Sequence, residues 1–141
     1  QALSGELSRL RSLHANVLLW DAHSIRGEIP WLFDGKLPDL NVGTANGLAA
    51  AESVGLAVME VCSQQEQFTH VLNGRFKGGY ITRCYGNPQG GIHAVQLEKC
   101  QSVYMNELPP YEYKPELAAQ VQPLLHKMVA AALNQVKSLS L

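Results

Sequence analysis

The segment VLLWDAHS, residues 17–24, constrains the fold of this chain more than any other stretch. Four consecutive large apolar residues are typical of a strand that is buried on both faces of a parallel or mixed sheet. The polar residues Asp21, His23 and Ser24 follow directly, and ligands of open α/β sheets usually bind at such strand ends. The sequence therefore predicts an α/β fold with a site beside this segment.

The remaining pattern supplies helices and strands around that segment. Apolar residues at three- and four-residue spacing predict helices, and short apolar or alternating runs predict strands. The predicted helices cover residues 3–13, 48–65 and 114–138, and the further strands cover residues 68–73 and 93–98. Between the first strand and the second helix, closely spaced Pro, Gly, Asp and Asn predict a long ordered loop at residues 25–47.

Composition narrows the class of protein. The chain has 141 residues, 46% hydrophobic and 16% charged, which suits one globular domain, residues 1–141. A net charge of -1 argues against binding to a nucleic acid backbone, and no apolar run is long enough to span a membrane. Three widely spaced cysteines without a CxxC pair indicate free thiols. We expect a cytoplasmic protein, and the missing initiator Met before Gln1 suggests a fragment of a longer one.

Two acidic residues and a histidine are the candidates for metal and proton chemistry. Asp21 and His23 are two residues apart on one strand and so point to the same face, which suits a metal-binding histidine supported by a carboxylate. Glu98, at the end of the strand at residues 93–98, is a candidate general base. The alternatives are an ordinary buried or capped histidine and a solvated strand-end glutamate.

A cationic, glycine-rich segment is the candidate for anion binding. Arg75, Lys77 and Arg83 flank two glycines, so forked donors could meet a carboxylate where the backbone comes close; a solvated basic loop is the alternative. Nucleophilic catalysis by Ser24 is disfavoured, because the GxSxG elbow is absent and Ser24 faces away from its neighbour in a strand. Cysteine catalysis has no support in the sequence.

Three blocks in order carry a family resemblance: LLWDAHSIRGEIPWLFDGKLPDLNVGT, HVLNGRFKGGYITRCYG and GIHAVQLEKCQSVYMNE. They resemble the carboxyl-terminal half of N-formylglutamate amidohydrolases. The resemblance implies a three-layer α/β/α fold with a mixed sheet, zinc-carboxypeptidase-like (phosphorylase/hydrolase-like), whose amino-terminal part is absent from this chain. It also implies zinc-dependent hydrolysis of N-formyl-L-glutamate to formate and L-glutamate, in histidine degradation.

The resemblance also assigns roles to residues. It makes His23 a zinc ligand, Asp21 the carboxylate behind it and Glu98 the base that activates water. The residues that would hold the carboxylates of the N-acyl amino acid substrate are Asn73, Arg75 and Arg83. Nothing in this chain matches the two earlier zinc ligands of the family, so they are expected in the missing amino-terminal half, and the chain alone is expected to be inactive.

One departure from the family pattern leaves alternatives open. The family block usually reads TRHYG, whereas this chain has Cys84 in place of the histidine. If that histidine assists catalysis, activity here is reduced or altered. The alternatives are a non-catalytic module that binds small anions through its arginines, and a related deacylase acting on a different N-acyl amino acid.

Overall fold

The computed structural model describes residues 1–140. It contains four helices and four strands, in the order α1 (Ala2–Leu13), β1 (Val17–Ile25), β2 (Leu40–Gly43), α2 (Glu52–Ser63), β3 (His70–Leu72), α3 (Tyr80–Tyr85), β4 (Ile92–Cys100) and α4 (Pro115–Ser138). Two short 3-10 turns, Pro88–Gly90 and Gln101–Val103, flank β4. No helix among these residues is long and apolar enough to cross a membrane.

The strands form one mixed sheet in the order β1-β4-β2-β3. The outer pairs β1/β4 and β2/β3 are parallel, and β2 runs antiparallel to β4. The predicted mixed sheet is confirmed. The register of the first pair sets His23 of β1 beside Glu98 of β4, although the two residues are far apart in sequence.

Alternation along β4 separates the core from the site. Val95 and Leu97 point into the main apolar core, which α2 and α4 close from one side. Ala94, Gln96 and Glu98 point to the other face, where the short helix α3 packs against β4 and β1. The predicted α/β/α layering is therefore present in these residues, with the six-residue helix α3 on the second face.

Strand β1 differs from its predicted burial. Only Val17 and Asp21 of β1 are buried, and residues 18–20 are half-buried. The prediction of burial on both faces was wrong because β1 lies at the edge of the sheet formed by residues 1–140. The strand also continues to Ile25, so Asp21 and His23 lie within it and both are fixed by pairing with β4.

The other helices and strands follow the sequence pattern, with shifted ends. Helix α2 begins at Glu52 rather than residue 48, because Ala45, Asn46 and Gly47 take positive φ values of 51°, 55° and 87° in a turn before it. The short β2 falls inside the predicted loop at residues 25–47. Helix α3 was not predicted, since the two glycines before it indicate a turn and its own six residues are too few for a clear helical period.

Candidate active site

Two neighbouring strands supply the floor of the candidate site. Asp21 and His23 project from β1, and their partners in register on β4 are Gln96 and Glu98. Because neighbouring strands lie about 4.8 Å apart, these four side chains form one compact polar group. The floor lies on the face of the sheet that carries α3, away from the main core.

The cationic segment forms the wall of this site. A cleft of about 580 Å³ lies between the floor and residues 75–81 together with Arg83. Gly43 of β2 lets the wall come close, since a Cβ there would lie 2.6 Å from the carbonyl carbon of Lys77. The Ala45 N–H donates to the Lys77 carbonyl and fixes the wall in this place. The glycine therefore allows a backbone contact that brings the cations over the sheet.

Asp21, His23 and Thr82 are linked by hydrogen bonds. His23 Nε2 lies 2.7 Å from Asp21 Oδ1, and the hydroxyl of the fully buried Thr82 donates to Asp21 Oδ2 at 3.0 Å. The Asp21 side chain is 8% exposed and that of His23 45%. With Nε2–H donating to the carboxylate, Nδ1 carries the free lone pair, and no other residue described by the structure hydrogen-bonds to it. The histidine is thus oriented with one nitrogen available.

Glu98 lies beside His23 with one oxygen unpaired. Its Oε1 is buried and has no hydrogen-bond partner among residues 1–140. Burial raises the pKa of Glu98 above its usual value, and the nearby His23 and Lys99 only partly oppose this effect. Burial also lowers the pKa of Lys99, whose Nζ donates to the His23 carbonyl at 3.2 Å. A carboxylate with raised proton affinity in a cleft suits general acid-base chemistry.

The two arginines of the wall are each anchored to a backbone carbonyl. Arg83 donates to the Gly78 carbonyl, and Arg75 donates to the Leu32 carbonyl while its guanidinium lies 5.8 Å from the centre of the Phe33 ring. Both side chains still line the cleft. A guanidinium has five N–H donors, so an arginine with one of them anchored can still hold a carboxylate.

Asn73 does not join the other predicted residues. Its Oδ1 accepts hydrogen bonds from the Thr44 and Asn46 N–H groups at 2.9 and 3.3 Å, and its Nδ2 donates to Thr44 Oγ1 at 3.0 Å. It borders a separate cleft of about 440 Å³. These contacts hold the turn after β2, and binding of substrate by Asn73 stays a prediction.

Ser24 and Cys84 also lie off the cleft lining. The Ser24 hydroxyl pairs with the Tyr104 hydroxyl at 2.8 Å on the opposite side of β1 from His23. All three cysteines are free, and Cys84 is exposed on α3, one turn after Tyr80 of the wall. A hydrogen bond with the Cys84 side chain raises the pKa of Tyr80, so Cys84 lies next to the wall of the cleft.

Two residues of the site were missed by the sequence analysis. Gln96 is 4% exposed on the cleft floor, and its Oε1 accepts the Gly79 N–H at 2.5 Å. Its position two residues before Glu98 on one strand could have indicated it. Thr82 had no such signal, because its contact with Asp21 depends on the packing of α3 on the sheet.

The side chains in this part of the chain fit one of the protein ligands of a zinc site. His23, with a carboxylate on one ring nitrogen and the other nitrogen free, has the arrangement typical of a metal-binding histidine. No group of three His, Cys, Asp or Glu side chains within residues 1–140 is placed to hold a metal ion. Catalytic zinc sites use three protein ligands, so His23 would need two partners from beyond these residues.

Known proteins similar to this chain agree on one family. A family model described as N-formylglutamate amidohydrolase matches residues 1–105. An N-formylglutamate deformylase from Pseudomonas putida is 52% identical over 131 residues, which are 93% of this chain and 49% of that protein. One from Pseudomonas aeruginosa is 44% identical over 133 residues, 94% of this chain and 50% of that protein. The chain therefore spans about half the length of these relatives.

The fold agrees with a solved structure. The crystal structure of N-formylglutamate amidohydrolase from Ralstonia eutropha JMP134 superposes with a TM-score of 0.79 over 98% of this chain and 50% of that one, at 18% identity. At that identity the likeness concerns the fold alone, and the family assignment rests on the sequence matches. Because the family model covers well over half of its residues, this chain belongs to the N-formylglutamate amidohydrolase family.

Proposed function

We propose that the full-length protein is a zinc-dependent amidohydrolase that cleaves N-formyl-L-glutamate to formate and L-glutamate. The observation that carries the proposal is the pairing of Asp21–His23 with Glu98 on one cleft floor, beneath a wall of cations. The names of the Pseudomonas relatives support the choice of N-formyl-L-glutamate as the substrate. We further propose a cytoplasmic role in histidine degradation, as the family resemblance implies.

Proton transfer is the role of Glu98. A formamide is a weak electrophile and water a weak nucleophile at neutral pH, and zinc, when bound, supplies the charge that polarises the carbonyl and acidifies water. Glu98 takes a proton from the attacking water as the carbon–oxygen bond forms. It returns that proton to the nitrogen as the carbon–nitrogen bond breaks, and the proton left on the new carboxyl group passes to the amine, which releases formate and L-glutamate in its ammonium form. Its burial and unpaired Oε1 favour this exchange.

Orientation of the ligand is the role of Asp21. The carboxylate accepts Nε2–H of His23, which leaves Nδ1 as the nitrogen that would bind zinc. Thr82 holds the second carboxylate oxygen, so Asp21 has little freedom to rotate. The two further zinc ligands would come from the rest of the protein, and we therefore expect residues 1–141 alone to be inactive.

Positioning of the substrate is the role of the cationic wall. N-formylglutamate carries two carboxylates at neutral pH, and Arg75, Lys77 and Arg83 line the side of the cleft that faces the floor. Charge-assisted hydrogen bonds to these carboxylates would hold the formyl group over Glu98.

Formate release and zinc content of the full-length protein test the proposal together. We expect wild-type protein to contain zinc and to release formate from N-formyl-L-glutamate, and His23→Ala to lose both. His126→Ala is the matched control, since His126 is exposed on α4 and far in sequence from the floor. Turnover that persists after complete removal of metal would sink the zinc mechanism. Binding of glutamate without turnover would favour a non-catalytic anion-binding module, and a panel of other N-acyl glutamates and aspartates would reveal a different acyl group.

A further inference from the structure

Gln96 has an orientation that the structure fixes. The Gly79 N–H donates to one end of its side-chain amide at 2.5 Å, so that end is the oxygen and the other end is the NH2 group. The side chain is 4% exposed and lines the cleft. No residue that the structure describes accepts a hydrogen bond from Nε2. The amide therefore has free donors at the cleft floor.

The position of Gln96 connects the floor with the cationic wall. Gly79, its hydrogen-bond partner, lies in the segment that also carries Lys77 and Arg83. The register pairs Gln96 with Asp21, whose two oxygens are already bonded to His23 and Thr82. Both Asp21 oxygens thus already have hydrogen-bond donors, and Gln96, with its free NH2 group, lines the same cleft as Lys77 and Arg83. A ligand oxygen that reaches the wall is the natural acceptor for this NH2 group.

We propose that Gln96 is a specificity residue, and that its Nε2 donates a hydrogen bond to a carboxylate oxygen of an N-acyl dicarboxylic amino acid bound against Lys77 and Arg83. The inference rests on the proposed function for the identity of the substrate. The cations attract a carboxylate by their charge. A neutral donor beside them also fixes the orientation of the carboxylate, because a hydrogen bond is directional. This hydrogen bond also gives an acceptor to an NH2 group that otherwise lacks a protein partner.

Two substitutions at Gln96 separate the donor from the rest of the side chain. Gln96→Glu has the same shape and keeps an oxygen for the Gly79 N–H, but replaces the donor with an acceptor. Gln96→Met has similar length, removes both hydrogen bonds and adds no charge. Gln122→Glu is the control for added charge, because Gln122 is exposed on α4.

Steady-state kinetics and calorimetry on the full-length protein provide the test. We expect both variants at Gln96 to raise KM for N-formyl-L-glutamate and Kd for L-glutamate about 10- to 100-fold, as loss of a hydrogen bond to a charged group does. Gln96→Met should change kcat less than about threefold, and Gln122→Glu should match wild type. An unchanged KM and Kd in both variants, or a fall in kcat at constant KM, would overturn the inference.

The outcomes also separate this inference from the proposed function. If wild-type protein binds L-glutamate but releases no formate, and the Gln96 variants lose that binding, the carboxylate donor is supported and the hydrolase is refuted. If wild-type protein releases formate and the variants bind glutamate as tightly as it does, the donor is refuted and the hydrolase stands. N-formylnorvaline, which lacks the side-chain carboxylate, tells which carboxylate is involved: an equal rise in KM for both substrates points to the α-carboxylate.

Discussion

Removal of the Thr82 hydroxyl is expected to loosen the candidate metal ligand without touching it. The hydroxyl donates to Asp21 Oδ2 at 3.0 Å, and Thr82 is 0% and Asp21 8% exposed. A buried hydrogen bond to a charged group contributes about 1.5–3 kcal/mol, and Thr82→Val leaves that oxygen without its donor in nearly the same volume. We expect a loss of about 1.5–3 kcal/mol in the free energy of unfolding and, through His23, about a tenfold loss of zinc affinity.

Urea unfolding of metal-free protein measures the first effect, and competition with a zinc chelator measures the second. Thr82→Ser keeps the hydroxyl. It should therefore retain most of the stability and most of the zinc affinity, although it loses the methyl group that faces Gly78. A double-mutant cycle with Asp21→Asn separates positioning from general stability, since Thr82→Val should matter much less once the carboxylate is gone. If Thr82→Val lowers zinc affinity equally in the wild-type and Asp21→Asn backgrounds, the proposed action of Thr82 through Asp21 is refuted. A Thr82→Val protein as stable as wild type would also refute it.

Three further outcomes follow from the site and from a buried histidine. Glu98→Gln should keep zinc but lose about 10²- to 10⁴-fold in kcat, and full turnover would exclude Glu98 as the base. Arg83→Ala should raise KM for dicarboxylate substrates about tenfold or more, whereas an equal loss on uncharged formamides would contradict a carboxylate clamp. Burial, with help from Arg11, lowers the pKa of His93, whose Nδ1 accepts the Ala51 N–H at 3.2 Å. Its folded-state pKa lies below the unfolded one, so its stabilisation is present above about pH 6.5 and disappears as pH falls through the folded-state pKa. In His93→Gln the free energy of unfolding, measured with urea, should depend less on pH over that range. A pH dependence identical to that of wild type would contradict this expectation.

The local sequence pattern predicted those parts of the site that depend on a single strand. The apolar run before Asp21 indicated β1, and the two-residue alternation set Asp21 and His23 on one face and Glu98 opposite Leu97. These features need only the pleat of a strand. The 2.7 Å contact between Asp21 and His23 was left open, because side chains two apart on a strand share a face without having to touch.

Features that depend on distant parts of the chain could not be predicted. The pairing of His23 with Glu98 requires β1 and β4 to be neighbours, which is a matter of strand order rather than of either sequence. The role of Thr82 requires α3, a helix too short to have a detectable period. Burial of β1 was overestimated for the same reason, since an apolar run does not reveal whether a strand lies in the middle or at the edge of a sheet.

The edge position of β1 couples two properties of this protein. A strand with one open side presents N–H and C=O groups to which another strand can add, and natural proteins protect such edges from association. In residues 1–140 that open side belongs to the strand that carries His23. Whatever covers the edge therefore also restrains His23, and a partner strand bound there would shift this candidate ligand through the backbone of β1. Protection of the sheet edge and the position of His23 depend on the same nine residues.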